Sequence, residues 1–480
     1  MFRRALIAAA IAMAWAGPAP AQEAELAKIR EEIRQLKDGY EQRIQALEKR
    51  LEEAEAKAGK AETAATKAES TASQAQQSAT KTEIAASSAA NRGGENAFNP
   101  AVSLILQGTY ANTSQDPNTF QITGFVPSGG EVGPPKRSFG LGETELTLSG
   151  NIDPYFRAVA IASLAPDGGV EVEEAYFQTL ALGRGFSLKG GRFFSGIGYL
   201  NEQHQHAWDF QDAPLLYKGF LGNQLKQDGV QLKWIAPTDL LLEFGVELSA
   251  GDQYPGSDRN KNGIGGSALF ANLGGDIGAS AAWRAGISHL GFSPDGRSYT
   301  DTDSLGSPVT NSFTGTAKLS GVNGVLKWAP NGNPYYYNLK LQGEYFRLKQ
   351  NGTLTYDDAG GSNVFASVSD YFTTDQSGWY AQGVWQFMPR WRVGYRYDTL
   401  RYGTVNNGIV NDGLGPTAAD FPVLASHSPT NNTLMFDWSP SEFSRLRLQF
   451  AQDKSRLGLT DNQIFLQYIY SLGAHGAHKF

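Results

Sequence analysis

From about residue 96 onward, apolar and polar side chains alternate with a period of two, the mark of strands that are apolar on one face only. Leu240, Leu242, Phe244, Val246 and Leu248 share one parity, and Glu243, Gly245, Glu247 and Ser249 take the other. Tyr337, Leu339, Leu341, Gly343 and Tyr345 alternate with Asn338, Lys340, Gln342 and Glu344. Trp391, Val393, Tyr395 and Tyr397 oppose Arg392, Gly394, Arg396 and Asp398; Leu446, Leu448 and Phe450 oppose Arg445, Arg447 and Gln449. Such strands belong to an antiparallel sheet wet on one face, either a soluble sandwich or a membrane barrel.

Two features favour the barrel. Strands end in Trp and then turn through Pro: Trp234 before Pro237, Trp328 before Pro330, Trp385 before Pro389, Trp438 before Pro440. Pro has no N–H for the ladder and belongs at a turn, and Trp beside it fits the aromatic girdle of a membrane–water boundary. These turns are short, whereas about 251–267, 291–311, 350–377 and 403–431 read as long polar loops, the asymmetry of an outer-membrane barrel with its short side periplasmic. The second feature is the count. Sixteen strands fit between 101–111 and 462–472, an even number that leaves both barrel ends periplasmic. The predicted fold class is an all-β transmembrane barrel of about 16 antiparallel strands over 101–480, preceded by a long α-helical coiled coil.

Composition agrees with this. The mean hydropathy is −0.36, and beyond the N-terminus no apolar run reaches the roughly 20 residues of a membrane helix. There is no Cys, hence no disulfide or thiolate chemistry, and the net charge of −7 argues against nucleic acid as a partner.

The N-terminus is built differently. Arg3 and Arg4 precede the apolar stretch Ala5–Ala16, and Ala19-x-Ala21 is a small-residue cleavage signature, so 1–21 reads as a secretory signal. From 22 to 91 there is no Pro. Leu26, Ile29, Ile33, Leu36 and Tyr40, then Ile44, Leu47 and Leu51 keep spacings of three and four. The seam then turns to Ala at Ala54, Ala58, Ala61, Ala65, Ala68, Ala72, Ala75 and Ala79. An Ala seam buries little surface, so the segment points to a parallel coiled coil between identical chains, with an Ala-rich disordered linker as the alternative. Residues 92–100 read as a linker.

The last strand carries Ile464, Leu466, Tyr468, Tyr470 and Leu472 in phase with the terminal Phe480. This resembles the closing-strand signal by which bacterial outer-membrane proteins engage their assembly machinery. An exported chain with a coiled coil, sixteen strands and that terminus resembles the phosphate-selective porin O and P type of trimeric channel. The resemblance implies a homo-trimer in outer-membrane lipid that conducts small anions through a basic constriction.

A sixteen-stranded lumen is too wide for strand side chains to fill. The candidate constriction is the third external connection, 196–224, whose Tyr199, Trp208, Phe210 and Tyr217 set it apart from the Gly/Ser/Asp-rich loops. It brings Glu202, His204, His206, Asp209, Asp212 and Lys218 as candidate lining groups. The polar parity of the strands brings Lys233, Glu243, Glu247, Lys340, Glu344, Arg392, Arg396, Arg445 and Arg447 as candidate lumen charges, and opposed charges filter solutes by sign and size. His204 and His206, beside Glu202 and Asp209, are candidate ligands for Zn²⁺ or another divalent ion. A second pair, His475 and His478, falls at the periplasmic rim. The stretch from Asp258 to Gly263 begins like a calcium loop, but its twelfth position is Leu269 and not Glu, which excludes a full site. No nucleophile or phosphate-loop motif is present and nothing requires a cofactor, so the expectation is a non-enzyme. The leading reading is a channel for small hydrophilic solutes or ions. The rivals are an outer-membrane tether that reaches the cell wall through the coiled coil, and a divalent-metal channel that uses the His pairs.

Overall fold

The computed structural model describes residues 100–480 except 130, 131, 165–167 and 474–480, and before them only Glu31, Arg34, Gln45 and Lys49, each helical. Arg34 reaches Glu31 at 3.4 Å, an exposed i,i+3 pair. The signal sequence, the rest of the coiled coil, the linker short of Pro100, His475, His478 and Phe480 lie outside the described residues.

Eighteen strands follow: β1 (Ala101–Thr113), β2 (Ser138–Leu141), β3 (Thr144–Asn151), β4 (Phe156–Leu164), β5 (Val170–Thr179), β6 (Phe186–Phe194), β7 (Lys226–Ile235), β8 (Leu241–Ser249) and β9 (Gly266–Ile277). The second half holds β10 (Ala281–Phe292), β11 (Arg297–Thr302), β12 (Pro308–Trp328), β13 (Asn338–Tyr356), β14 (Val368–Met388), β15 (Trp391–Asn407), β16 (Thr430–Ser441), β17 (Ser444–Asp453) and β18 (Asp461–Gly473). Every pairing is antiparallel. β1 closes the sheet by lying between β18, with Ser103 opposite Gly473, and β3, with Ala101 opposite Ser149. β2 prolongs the line of β3 along β1, and β11 prolongs β10 along β12. Taken with the strands they extend, the eighteen segments form a ring of sixteen. Among the described residues every member of this ring has a neighbour on both sides, which is what a sheet surrounded by hydrocarbon requires.

The parity read from the sequence sets inside and outside. On β8, Phe244, Val246 and Leu248 face out while Gly245, Glu247 and Ser249 are buried inward. On β18, Leu466, Tyr468, Tyr470 and Leu472 face out and Gln463 and Gln467 face in. Trp328, Trp385, Trp391 and Trp438 are exposed at the short-turn end, and Trp391 stacks on Trp438 with ring centroids 5.9 Å apart. This is a girdle at one rim of an apolar outer wall.

β12 to β15 differ from the sequence expectation. They run 21, 19, 21 and 17 residues, well beyond the roughly 9–11 that cross a bilayer. Much of 291–311, 350–377 and 403–407, expected as loop, is paired strand. Beyond the apolar belt the outward positions no longer need to be apolar, so hydropathy stops alternating while the ladder continues.

Candidate functional site

The connection between β6 and β7, residues 195–225, folds into the barrel. Its helix α1 (Leu215–Leu221) is buried along its whole length. Ile197, Leu200, Trp208, Leu216, Tyr217 and Phe220 pack against Leu290, Leu319, Phe346, Leu348 and Leu400, which project inward from the wall. Apolar side chains inside a wet lumen are unfavourable until something covers them, and the loop is that cover. A second connection joins it: in 114–137, Ile122 and Phe125 enter the same cluster and Ser128 Oγ donates to Lys218 O at 2.5 Å.

Three polar ties fix the base of the loop. Asn201 Nδ2 donates to Ser195 O and Leu225 O at 2.8 and 2.9 Å, and its Oδ1 accepts from Leu225 N at 2.8 Å, pinning the two stems together. Glu247 accepts from Gly196 N at 2.8 Å, Ser195 Oγ at 2.5 Å and Gln231 Nε2 at 2.7 Å. Glu344 accepts from Tyr199 N at 3.0 Å, Leu200 N at 3.1 Å and the hydroxyls of Tyr217 and Tyr380 at 3.0 and 2.7 Å. Gly198, with φ +64°, lets this carboxylate approach the backbone; a Cβ there would collide with Glu344 Oε2 and the Tyr217 hydroxyl.

Past these ties the loop meets a basic wall on β13 to β17. Asp209 lies 2.9 Å from Lys340 Nζ and 3.0 Å from Arg392 Nη1. Asp212 lies 2.6 Å from Lys218 Nζ and 3.0 Å from Arg396 Nη2. Burial disfavours ionisation of both carboxyls, yet Lys340 and Arg392 around the first, and Lys218 and Arg396 around the second, hold them well below the usual carboxylate range. The wall also neutralises itself. Arg396 meets Asp398 at 2.9 Å, and Asp437 meets Arg447 at 2.9 Å, Arg392 at hydrogen-bond distance and Arg445 at 3.9 Å. Arg445 and Arg447 donate to Trp208 O at 3.3 and 2.8 Å, which seats the loop on the wall.

On the opposite side the two histidines meet acids of β3 and β5. His204 Nδ1 is 3.2 Å from Glu145 Oε2 and 3.3 Å from Glu173 Oε2, and Nε2 is 3.1 Å from Glu174 Oε2. His206 Nδ1 is 2.8 Å from Glu145 Oε1. Burial disfavours charge on His204, but Glu145, Glu173 and Glu174 outweigh it and its pKa stands well above the ordinary imidazole value. A bulge explains why Glu173 and Glu174 both point inward. Ile161 pairs with Glu174 and Ala162 with Val172, so Glu173 is the extra residue.

Between the walls lies a cavity of about 740 Å³, bounded by Glu145, Glu174 and the His pair on one side and Lys327, Lys340 and Arg392 on the other. A neighbouring cavity of about 550 Å³ is lined by Lys233, Glu243, Glu202 and Arg284. There Lys233 pairs with Glu202 at 2.8 Å and approaches Glu243 at 3.9 Å.

Every lumen charge named from the sequence faces inward, but not all meet open space. Lys340, Arg392, Lys233 and Glu243 line the cavities. Glu247 and Glu344 are loop anchors, Arg396 and Arg447 are buried in ion pairs, and Lys218 is buried on α1. The structure separates the histidines from their expected carboxylates: Glu202 pairs with Lys233 and Asp209 with Lys340 and Arg392. Glu145, Glu173, Glu174, Arg284, Lys327 and Asp437 were not singled out in the sequence. Parity alone marks Glu145, Arg284 and Asp437 as inward, while the bulge hides Glu173.

No protein-family model matches the chain. Among solved structures, similarity is found to a loop L8 deletion mutant of OmpT, an outer membrane protein of Vibrio cholerae. It is 11% identical and covers 78% of this chain and 99% of that one, with a TM-score of 0.47. The outer membrane channel DcaP of Acinetobacter baumannii is 12% identical, covering 78% and 97%, with a TM-score of 0.46. An anion-selective porin from Comamonas acidovorans is 9% identical, covering 78% and 99%, with a TM-score of 0.42. The sixteen-strand ring rests on its own pairing and not on these likenesses. In sequence, an uncharacterised protein of Aquifex aeolicus (strain VF5) is 30% identical over 423 residues, 80% of this chain and 81% of that protein. Identity of that extent over most of both chains places this chain in the same family as the Aquifex aeolicus protein.

Proposed function

We propose that this protein is a porin-type channel of an outer membrane that passes small hydrophilic solutes or ions. The observation that carries this reading is the closed sixteen-strand ring, apolar outside, with an anchored loop narrowing a lumen whose facing walls carry opposite charge. Such walls set a field across the path and filter by size and sign. Asp209, Lys340 and Arg392, with Glu145 and Glu174 opposite, form the constriction in this reading. An exported precursor with a signal over 1–21, a periplasmic coiled coil over 22–91, assembly through Phe480 and a homo-trimer complete the proposal, supported by the sequence patterns.

Reconstitution in planar bilayers tests it. Reproducible stepwise conductance is the expected result, and a folded barrel that stays electrically silent overturns it. Reversal potentials under a salt gradient then give the sign of the preferred ion.

A further inference from the structure

We propose that Glu145, Glu173 and His204 bind a divalent cation of borderline softness, Zn²⁺ being the best match, supported by His206 and Glu174. One ligand atom from each lies within 4.8 Å of the others, and His204 Nδ1 faces Glu145 Oε2 and Glu173 Oε2. The nitrogen stands 3.2 and 3.3 Å from the two oxygens. Charge-assisted hydrogen bonds prefer about 2.7–2.9 Å. Ligands at the 2.0–2.2 Å of a tetrahedral zinc site stand about 3.3–3.5 Å apart, which the observed spacing nearly matches.

The surroundings are those of a metal-binding imidazole. His204 presents Nδ1 to the two ligating carboxylates and directs Nε2 at Glu174 Oε2, 3.1 Å away. A ligating histidine usually donates its other N–H to a carboxylate, which fixes tautomer and ring orientation. Glu174 is itself held by Phe194 N at 3.1 Å, and Glu145 by His206 Nδ1 at 2.8 Å. Glu143, beside Glu173, adds a further carboxyl group to the cluster, and Lys189 reaches Glu174 from β6 with its amine 4.5 Å from the Tyr176 ring. Three protein ligands leave a fourth position, as open zinc sites do, and Glu145 and His204 both line the 740 Å³ cavity from which water or a solute would fill it. The ion would also tie the loop tip to β3 and β5.

The test uses the full chain folded in detergent and stripped with a chelator, then titrated with Co²⁺ and with Zn²⁺. The expected results are one Zn²⁺ per chain by equilibrium dialysis and the intense visible absorption of tetrahedral Co²⁺, abolished by adding Zn²⁺. His204→Gln and Glu173→Gln each weaken binding at least about tenfold, since loss of outer-shell partners alone costs 10–100-fold. Asp375→Asn, on an exposed pair with Arg347, leaves it unchanged. Wild-type protein that takes up no Zn²⁺, or His204→Gln that binds it as tightly as wild type, overturns the proposal. Because the readout is binding, it is independent of whether the barrel conducts.

Discussion

The two walls of the lumen hold the same loop by opposite electrostatics. On β13 to β17 the permanent cations sit against carboxylates: Lys340 and Arg392 share Asp209, Arg396 has Asp398 and Asp212, and Arg392, Arg445 and Arg447 share Asp437. On β3 and β5 three carboxylates, those of Glu145, Glu173 and Glu174, converge on the single imidazole of His204. A paired wall is rigid, because removing either partner strands a buried charge. An over-charged wall holds its loop only while a proton or a cation bridges the acids. The difference teaches that burial and inward parity do not by themselves say whether a charged residue is structural or available to a solute.

The sharpest way to break that contrast is to delete one acid from each wall. Asp437→Ala leaves Arg447 buried without its partner and weakens the hold on Arg392 and Arg445; a loss of about 3–5 kcal/mol is expected. Glu173→Gln, measured in chelator, removes a charge from a repelling group and is expected to leave stability unchanged or raised. Denaturant midpoints of the folded barrel decide it. Equal losses at both positions would erase the distinction between the walls.

Conductance sharpens the comparison at the next scale. Lys340 lines the larger cavity, and one unit charge about 4 Å from a passing ion in water is worth about 1 kcal/mol. Lys340→Gln is therefore expected to shift the cation-to-anion permeability ratio two- to fivefold, by about that energy, toward cations. Glu174→Gln, across the cavity, is expected to shift it toward anions. Reversal potentials that move the same way for both would show that these walls do not face the permeating ion.

How much of this was legible beforehand divides along the same line. The outer wall was, because contact with lipid imposes apolar side chains at every second position: Phe244, Val246 and Leu248 were placed by parity and face out. The inward loop was also legible, since Tyr199, Trp208 and Tyr217 have no reason to be in a solvated connection. The inner wall was legible only as a direction. Parity assigns Glu344 and Lys340 to one face, but it takes the folded loop to make the first an anchor for two backbone amides and two tyrosines and the second a cavity-lining cation. Leu290, Phe346 and Leu400 continue a polar parity with apolar residues, a signal that marks where the loop lands. Glu173 escaped because a bulge moves one residue across the sheet without changing the composition around it.

The smallest expected effect concerns redundancy. Glu202, at the start of the loop, pairs with Lys233 at 2.8 Å, and Glu243 stands 3.9 Å from the same amine and 3.7 Å from Arg284. Losing Glu202 therefore leaves Lys233 with a second carboxylate already in reach, unlike Arg447, which is buried against Asp437. Both members of the Glu202 pair line the smaller cavity, where they keep some contact with solvent, whereas Arg447 and Asp437 are almost fully buried. Because Glu243 keeps Lys233 paired, Glu202→Gln is expected to cost about 1 kcal/mol, the net worth of one hydrogen bond, and to move the denaturant midpoint little. A cost approaching that of Asp437→Ala would mean that Glu243 does not compensate, and that the β7–β10 side of the lumen depends on single pairs as strictly as the basic wall does.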